Sequence, residues 1–208
     1  MTETPSDLVL SLFGVNSGSV RVFADLLADE GEVRGLIGPR ESSRIWSRHI
    51  VNCAALLPFL PSKGSVIDVG SGAGLPGLVI AAARPDLEVT LVEPMERRCE
   101  WLEYASETIG LDNVTIIRDR SENLGKTLRA DVVTARAVAA LPKLLRLTSR
   151  LIAPGGRLLA LKGERAYQEV NDAALELKKR HLKAKVHEVV SIMDGEITYV
   201  VECKRVVH

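Results

Sequence analysis

The residues best suited to chemistry lie in a short glycine-rich stretch. The sequence reads DVGSGAGLPG over residues 68–77, and Gly72, Gly74 and Gly77 match the spacing GxGxxG. Glycine lets the backbone adopt positive φ and approach a ligand closely. Glu93 follows Gly72 by 21 residues, where an acid can bind the hydroxyls of a ribose. The loop and the acid together predict a nucleoside-binding site.

Asp68 indicates which nucleoside this site takes. A dinucleotide places its pyrophosphate at the helix N-terminus that follows such a loop. A carboxylate two residues before Gly70 would repel that pyrophosphate, but it suits the ammonium and sulfonium of S-adenosylmethionine. The residues therefore favour S-adenosylmethionine as the cofactor and leave a nicotinamide dinucleotide as the alternative.

The elements that must position this loop alternate between short β-rich runs and helical segments. Strands are predicted at residues 65–70, 88–93, 114–118, 130–136, 157–162, 186–192 and 198–206. Helices are predicted between them at residues 77–83, 96–109, 141–151 and 167–181. This alternation predicts an α/β fold with a doubly wound, mostly parallel sheet of seven strands. No helix fits between the last two strands, so they should pair antiparallel.

The first 63 residues differ from the rest, because they are helical in period and poor in strands. Pro39 favours the start of a helix that covers residues 40–57. We therefore expect a helical cap over residues 1–63 and a Rossmann-like domain over residues 64–208, packed as one compact unit.

The charges balance in sum but separate along the chain. Lys and Arg number 27, as do Asp and Glu. Residues 1–117 carry 9 basic and 16 acidic side chains, whereas residues 118–185 carry 16 basic and 7 acidic ones. The zero net charge excludes a uniformly basic protein, but this asymmetry permits an anionic partner on one face.

Other features of the composition exclude several classes of protein. The three cysteines are far apart, no CxxC pair is present, and the four histidines are scattered. Neither a disulfide framework nor a metal site is expected. No signal peptide and no apolar run long enough to span a bilayer is recognisable. We expect a cytoplasmic protein that acts without a membrane and without a metal.

Several separate blocks carry a more specific resemblance. They are RHI at residues 48–50, the glycine loop, LVEP followed by RR, RDRSENL, ADVVTARAVA and GGRLLALKG. In this order they resemble the bacterial 16S rRNA guanine-N7 methyltransferase family, also known as glucose-inhibited division protein B. The family's LDS after HI is replaced by Val51-Asn52-Cys53.

The resemblance implies a class I S-adenosylmethionine-dependent methyltransferase that modifies N7 of a guanine in 16S rRNA, with the small ribosomal subunit as its partner. A monomer is expected. The implied catalytic residues are Arg136 and Lys162. With the loop residues, the expected cofactor-binding set is Asp68, Gly70, Gly72, Gly74, Leu75, Glu93, Ser121, Glu122 and Arg136. The expected RNA-binding set is Arg40, Arg44, Arg48, His49, Arg136 and Lys162.

The absence of a catalytic triad agrees with this chemistry. Guanine N7 is a free lone pair with no proton to remove, so the reaction needs alignment more than a general base. Neither an Asp/Asn-Pro-Pro-aromatic motif nor a suitably placed cysteine nucleophile is present. Three alternatives stay open: an NAD(P)-dependent oxidoreductase, a catalytically silent RNA-binding or ribosome assembly factor, and a methyltransferase of small molecules.

Overall fold

The structure, a computed structural model, describes residues 3–205 and contains a seven-stranded sheet. The strands are β1 (Gly64–Val69), β2 (Leu87–Val92), β3 (Val114–Ile117), β4 (Ala130–Arg136), β5 (Ile152–Lys162), β6 (Leu182–Val190) and β7 (Ile197–Arg205). Their spatial order is β3-β2-β1-β4-β5-β7-β6. Strands β1 to β5 run parallel, and β7 pairs antiparallel with both β5 and β6. The predicted α/β fold with a terminal antiparallel pair is confirmed.

The strand order reverses between β1 and β4. On one side of β1 the sheet continues with β2 and then β3, and on its other side it continues with β4 and then β5. Open α/β sheets bind their ligands outside the carboxyl ends of the strands at such a switch point. The residues that end β1, β2, β4 and β5 are therefore the ones that position the site.

Helices cover both faces of the sheet. They are α1 (Asp7–Ser11), α2 (Ser17–Glu30), α3 (Asn52–Ala54), α4 (Gly77–Ala83), α5 (Glu96–Ile109), α6 (Ser121–Leu124), α7 (Leu141–Thr148), α8 (Ala166–Asp172) and α9 (Ala174–Lys179). The bounds of α4 and α5 agree with the prediction. Gly110 ends α5 in the left-handed conformation, with φ of 77°, which is the common role of glycine at this position.

Alternate residues of the strands point into two hydrophobic cores. The side chains of Val66, Val89 and Val132 pack in one core together with Trp46 and Phe23 of the first 63 residues. Neighbouring strand residues pack in the second core against α7 and α9. The predicted cap thus shares its core with one face of the sheet, and the division of the chain at residue 63 stays a prediction.

Close packing of α4 on the sheet explains one glycine of the loop. A β-carbon on Gly77, the first residue of α4, would overlap Leu91 and would lie 2.7 Å from Asp68 Oδ2. Only glycine lets the helix start this near to β1 and β2. The consequence is that the first backbone N–H of α4 can reach the Asp68 carboxylate.

The predicted α-helix over residues 40–57 is wrong. Arg40 has φ of 70°, which excludes it from a right-handed helix. A 3₁₀ turn (Ser42–Arg44) leads into a π-helix (Ile45–Val51) and then into the short α3. Glu3 stabilises this later start, since its carboxylate accepts hydrogen bonds from the backbone N–H and the hydroxyl of Ser47. Ser47 lies in the first turn of the π-helix, where a backbone N–H has no partner within the helix.

The predicted helix over residues 167–181 is also wrong as a single element. It is divided into α8 and α9 at Ala173, and His181 has a positive φ of 53°. Asn171 and Asp172 precede the break; both are poor helix formers because their side chains compete for backbone groups. The predicted helix at 141–151 ends earlier, and β5 begins earlier than predicted.

Candidate active site

A cavity of about 310 Å³ opens at the carboxyl ends of β1 and β2. Its lining residues are Val69, Gly70, Val92, Pro94, Asp119, Arg120, Ser121, Glu122, Val138, Lys143 and Leu147. Apolar walls with a few polar groups on one side are typical of sites for small molecules. The cavity therefore fits the predicted nucleoside.

The glycine loop forms the rim of this cavity. Gly70 has φ of 68°, and a β-carbon on it would lie 2.9 Å from Val138 Cγ2. The Gly70 N–H donates to the Val92 carbonyl at 2.8 Å. Trp101 of α5 donates its indole N–H to the Ala73 carbonyl at 3.0 Å. The loop is thus anchored from both β2 and α5.

Glu93 ties the loop to the end of β2. Its side chain is almost completely buried, at 2% exposed. One carboxylate oxygen accepts the Gly72 N–H at 3.0 Å, and the other accepts the Met95 N–H at 2.9 Å. Each oxygen retains a second lone pair. Binding of ribose hydroxyls stays a prediction, and the structure adds a role in holding the loop.

Asp68 lies beneath the loop and is fully buried. Its carboxylate accepts the Gly77 N–H at 3.1 Å and the Thr134 hydroxyl at 3.0 Å. Burial raises the pKa of Asp68 to about 6, because a low-dielectric surrounding disfavours the charged form. Its charge would therefore act on a cofactor from below the loop, and direct contact stays a prediction.

Of the nine predicted cofactor residues, Gly70, Ser121 and Glu122 line the smaller cavity. Ser121 is buried and Glu122 is exposed. Gly74 and Leu75 are buried beside α4, where they shape the loop from behind. Arg136 lines a second, larger cavity.

This larger cavity of about 720 Å³ opens at the carboxyl ends of β4 and β5. The residues around it are Glu41, Ser47, Arg48, His49, Asn52, Arg136, Ala137, Val138, Ala139, Ala140, Leu161, Lys162, Gly163, Glu169, Ser191, Asp194, Glu196, Ile197 and Thr198. Val138 lines both cavities. The segment that follows β4 thus forms the wall between them, a feature that sequence reasoning missed.

Arg136 ends β4 and connects the sheet with the π-helix. Its guanidinium donates to His49 Nδ1 at 2.9 Å and lies 3.4 Å from both the Arg48 carbonyl and Asn52 Oδ1. Asn52 stands in the segment that departs from the family's LDS, and its amide also donates to Thr198 Oγ1 at 2.9 Å. The guanidinium is therefore held in one place by three acceptors.

His49 lies behind Arg136 and is buried, at 4% exposed. Burial, followed by the charge of Arg136, lowers the pKa of His49 to about 4, so the ring is neutral at pH 7. Because a guanidinium only donates, Nδ1 must accept and the proton sits on Nε2. Nε2 is 3.4 Å from Glu41 Oε2 and finds no hydrogen-bond partner of good geometry among residues 3–205. Contact of His49 with RNA stays a prediction, and the structure adds a hydrogen bond to Arg136.

Lys162, predicted to be catalytic and to bind RNA, ends β5 and lines the larger cavity. Its side chain is 9% exposed, and its ammonium donates to the Ala139 carbonyl and to Glu169 Oε2, both at 2.7 Å. Contact with RNA stays a prediction for this residue.

The three arginines of the predicted RNA-binding set are exposed but do not share one helical face. Arg40 and Arg44 lie outside the larger cavity, whereas Arg48 lines it. Arg44 is 3.5 Å from Glu196 and Arg48 is 3.0 Å from Glu41. Exposed ion pairs of this kind contribute only about 0–1 kcal/mol, so an incoming phosphate can replace the carboxylates.

Residues 3–205 hold no group of three or more histidine, cysteine or acidic side chains arranged to bind a metal ion. None of their helices combines the length and the apolar character that crossing a membrane requires.

Replacing Gly70 with alanine is expected to weaken binding of S-adenosylmethionine by about 10-fold or more, since overpacking typically costs about 1–3 kcal/mol. The new methyl group would press on Val138 and narrow the cavity. Gly110→Ala is the control, because Gly110 also has positive φ but no atom within 4 Å of an added β-carbon. Calorimetric titration should show that Gly110→Ala binds S-adenosylmethionine with wild-type affinity and that Gly70→Ala binds it more weakly. Equal affinities of the two variants would contradict this account of the cavity.

The sequence of the chain is similar to that of known methyltransferases. Residues 17–198 match the family described as GidB, rRNA small subunit methyltransferase G. A Beutenbergia cavernae protein named ribosomal RNA small subunit methyltransferase G is 53% identical over 189 residues, which cover 90% of this chain and 89% of the relative. A Thermobifida fusca protein of the same name is 49% identical and covers 95% of this chain and 83% of the relative.

Solved structures of low sequence identity share the fold. An S-adenosylmethionine-dependent methyltransferase from Aquifex aeolicus superposes with a TM-score of 0.59 at 18% identity, covering 86% of this chain and 99% of the other. A precorrin-6y C5,15-methyltransferase from Geobacter metallireducens gives a TM-score of 0.56 at 15% identity, covering 82% and 90%. The class I methyltransferase fold expected from the sequence is confirmed.

Proposed function

The chain belongs to the rRNA small subunit methyltransferase G family, and from this premise we propose that it transfers the methyl group of S-adenosylmethionine to N7 of a guanine in 16S rRNA. The observation that carries the proposal is the family match over residues 17–198. Two adjoining cavities that share Val138 as a wall support it, because one suits a nucleoside cofactor and the other an incoming base.

Binding of the cofactor is assigned to the smaller cavity. Gly70 brings the backbone close to the ligand, and Ser121 with Glu122 offers polar groups to the adenine edge. Glu93 holds the loop and has lone pairs left for ribose hydroxyls. When bound, S-adenosylmethionine supplies an electrophilic methyl group on its sulfonium. The fit rests on the apolar walls and on the cradle that a β-carbon at Gly70 would fill.

Alignment is the task that we assign to Arg136 and Lys162. Guanine N7 carries no proton in the reacting form, so the chain needs no general base. Arg136 presents a fixed guanidinium, which suits O6 on the acceptor edge of guanine and leaves the N7 lone pair free to form the bond to the methyl group. His49 is neutral and keeps that guanidinium in place without adding charge. The catalytic contribution is then one of position, which can be worth several orders of magnitude in rate.

Binding of RNA is assigned to the exposed arginines around the larger cavity. Phosphate contacts supply most of the affinity for nucleic acids. Arg44 and Arg48 exchange their weak carboxylate partners for phosphates in this proposal, and Arg40 extends the same surface. A single base would then enter the larger cavity, as enzymes that modify bases require. We further propose that the protein acts in the cytoplasm as a monomer and without a metal ion.

Transfer of radiolabelled methyl groups tests the proposed function. We expect incorporation from methyl-tritiated S-adenosylmethionine into small ribosomal subunits that lack the modification, and cleavage of the product at one guanine by borohydride and aniline. No incorporation despite intact cofactor binding would instead favour a catalytically silent assembly factor. Saturable binding of NAD(P) with none of S-adenosylmethionine would favour the oxidoreductase alternative.

A further inference from the structure

The segment of residues 137–140 separates the two cavities but has no polar side chain to hold it. It reads Ala-Val-Ala-Ala, and all four residues line the larger cavity. Ala137 has φ of 57°, a left-handed conformation that costs about 1–2 kcal/mol for a residue with a β-carbon. Such a backbone persists only where its surroundings determine it. Val138 packs against the second hydrophobic core, and the polar contacts that hold this wall must act on its backbone groups.

Lys162 and Glu169 supply these forces from the neighbouring elements. The Lys162 ammonium donates to the Ala139 carbonyl at 2.7 Å. Glu169 Oε2 accepts the Leu141 N–H at 2.7 Å and the Lys162 ammonium at 2.7 Å. One carboxylate oxygen of α8 thus holds the start of α7 and, through Lys162, the carbonyl two residues earlier.

Lys162 and Glu169 are both largely removed from water, so each charge depends on the other as its partner. The side chain of Lys162 is 9% exposed and that of Glu169 is 21% exposed. An ammonium that is largely removed from water is costly when it loses its partner. Loss of the Glu169 charge would therefore shift Lys162, release Leu141, or do both, and each change moves the wall at Val138.

We propose that Glu169 is a positioning residue for methyl transfer, which fixes Lys162 and the segment 137–140 so that both cavities keep their shape. The inference rests on the proposed function for its catalytic meaning. Its structural part, that Glu169 holds the wall, stands on the contacts alone and can be measured without any ligand.

Four variants test the proposal: Glu169→Gln, Lys162→Met, the double variant, and the control Glu176→Gln. Glu176 of α9 pairs with Arg146 and Arg180 and lines neither cavity, so its loss removes comparable ion pairs outside the cavities. We expect kcat on small ribosomal subunits to fall about 10-fold or more in Glu169→Gln, since small misplacements in active sites are costly. Glu176→Gln should retain wild-type kcat.

The double variant distinguishes positioning from general destabilisation. If Glu169 acts through Lys162, the double variant should lose no more activity than Lys162→Met alone, because residues in one network are not additive. Losses that multiply would overturn the proposal, as would an unchanged kcat in Glu169→Gln.

Hydrogen exchange separates failure of this inference from failure of the proposed function. In the unliganded protein, amides of residues 137–145 should exchange faster in Glu169→Gln than in wild type, with no such change in Glu176→Gln. Unchanged exchange would show that Glu169 does not hold the wall, whatever the activity. If the wild-type protein transfers no methyl group, the proposed function is refuted. The hydrogen-exchange result would then still decide whether Glu169 holds the segment 137–140.

Discussion

Replacing Arg136 with lysine is expected to lower the rate of methyl transfer by about 10²-fold, although the positive charge is retained. The guanidinium contacts His49 Nδ1 at 2.9 Å and lies 3.4 Å from the Arg48 carbonyl and from Asn52 Oδ1. An ammonium is a point charge on a flexible stem and cannot reproduce a planar group with five donors. The lysine side chain should therefore not keep the fixed position that the guanidinium has at the larger cavity.

The measurement is kcat at saturating substrate, together with the Kd for S-adenosylmethionine. Arg146→Lys is the matched control, because Arg146 is an exposed arginine on α7 that pairs with Glu176 away from both cavities. We expect Arg146→Lys to be as active as wild type. An Arg136→Lys variant within about twofold of wild type would show that charge alone is sufficient, and the alignment role would be abandoned.

Much of the framework was predictable because its determinants are local. The run from Glu96 to Ile109 has helical period and ends at Gly110, and the structure gives it those bounds. The last two β-rich runs leave no room for a helix, and β6 and β7 pair antiparallel as expected. Local propensity and short connections determine such elements, so they can be predicted without contacts from the rest of the chain.

The parts that were mispredicted depend on partners far away in sequence. The start of the π-helix is stabilised by the contact between Glu3 and Ser47, which are 44 positions apart. The pairing of Lys162 with Glu169 and with the Ala139 carbonyl likewise cannot be seen in the local sequence. The positions of Asp68 and Glu93 at the ends of β1 and β2, next to the glycine loop, could be predicted from motif spacing. Their hydrogen bonds to backbone N–H groups required the folded chain.

Asp68 and His49 are expected to give the protein opposite dependences of stability on pH. The folded state raises the pKa of Asp68 to about 6 from an ordinary value of 3.8, chiefly by burial. The folded state therefore binds this proton more tightly than the unfolded state. Its contribution to stability is complete below about pH 4 and is lost as pH rises through about 6; the difference amounts to about 3 kcal/mol.

His49 acts in the opposite sense over nearly the same range. Burial and the Arg136 charge lower its pKa from 6.5 to about 4. The unfolded state therefore binds this proton more tightly, so its contribution is complete above about pH 6.5 and is lost as pH falls through about 4. Because the two contributions have opposite slopes, each conceals the other in the wild-type protein between pH 4 and 6.5.

Single substitutions should reveal the two slopes separately. Asp68→Asn can still accept the Gly77 N–H and can donate to Thr134 Oγ1, and His49→Asn keeps an acceptor for Arg136. From urea unfolding between pH 4 and 6.5, stability of wild type relative to Asp68→Asn should fall with rising pH by about 2 kcal/mol, most of the full change. Stability relative to His49→Asn should rise with pH over the same range.

Subtraction from wild type removes the titrations that the proteins share, so the sign of each difference identifies its group. A flat difference for Asp68→Asn would mean that Asp68 is solvated in the folded protein, and the buried contacts with Gly77 and Thr134 would not hold in solution. A difference for His49→Asn that falls with pH would place a charged imidazolium beside Arg136. That result would contradict the neutral ring on which the fixed position of the guanidinium depends.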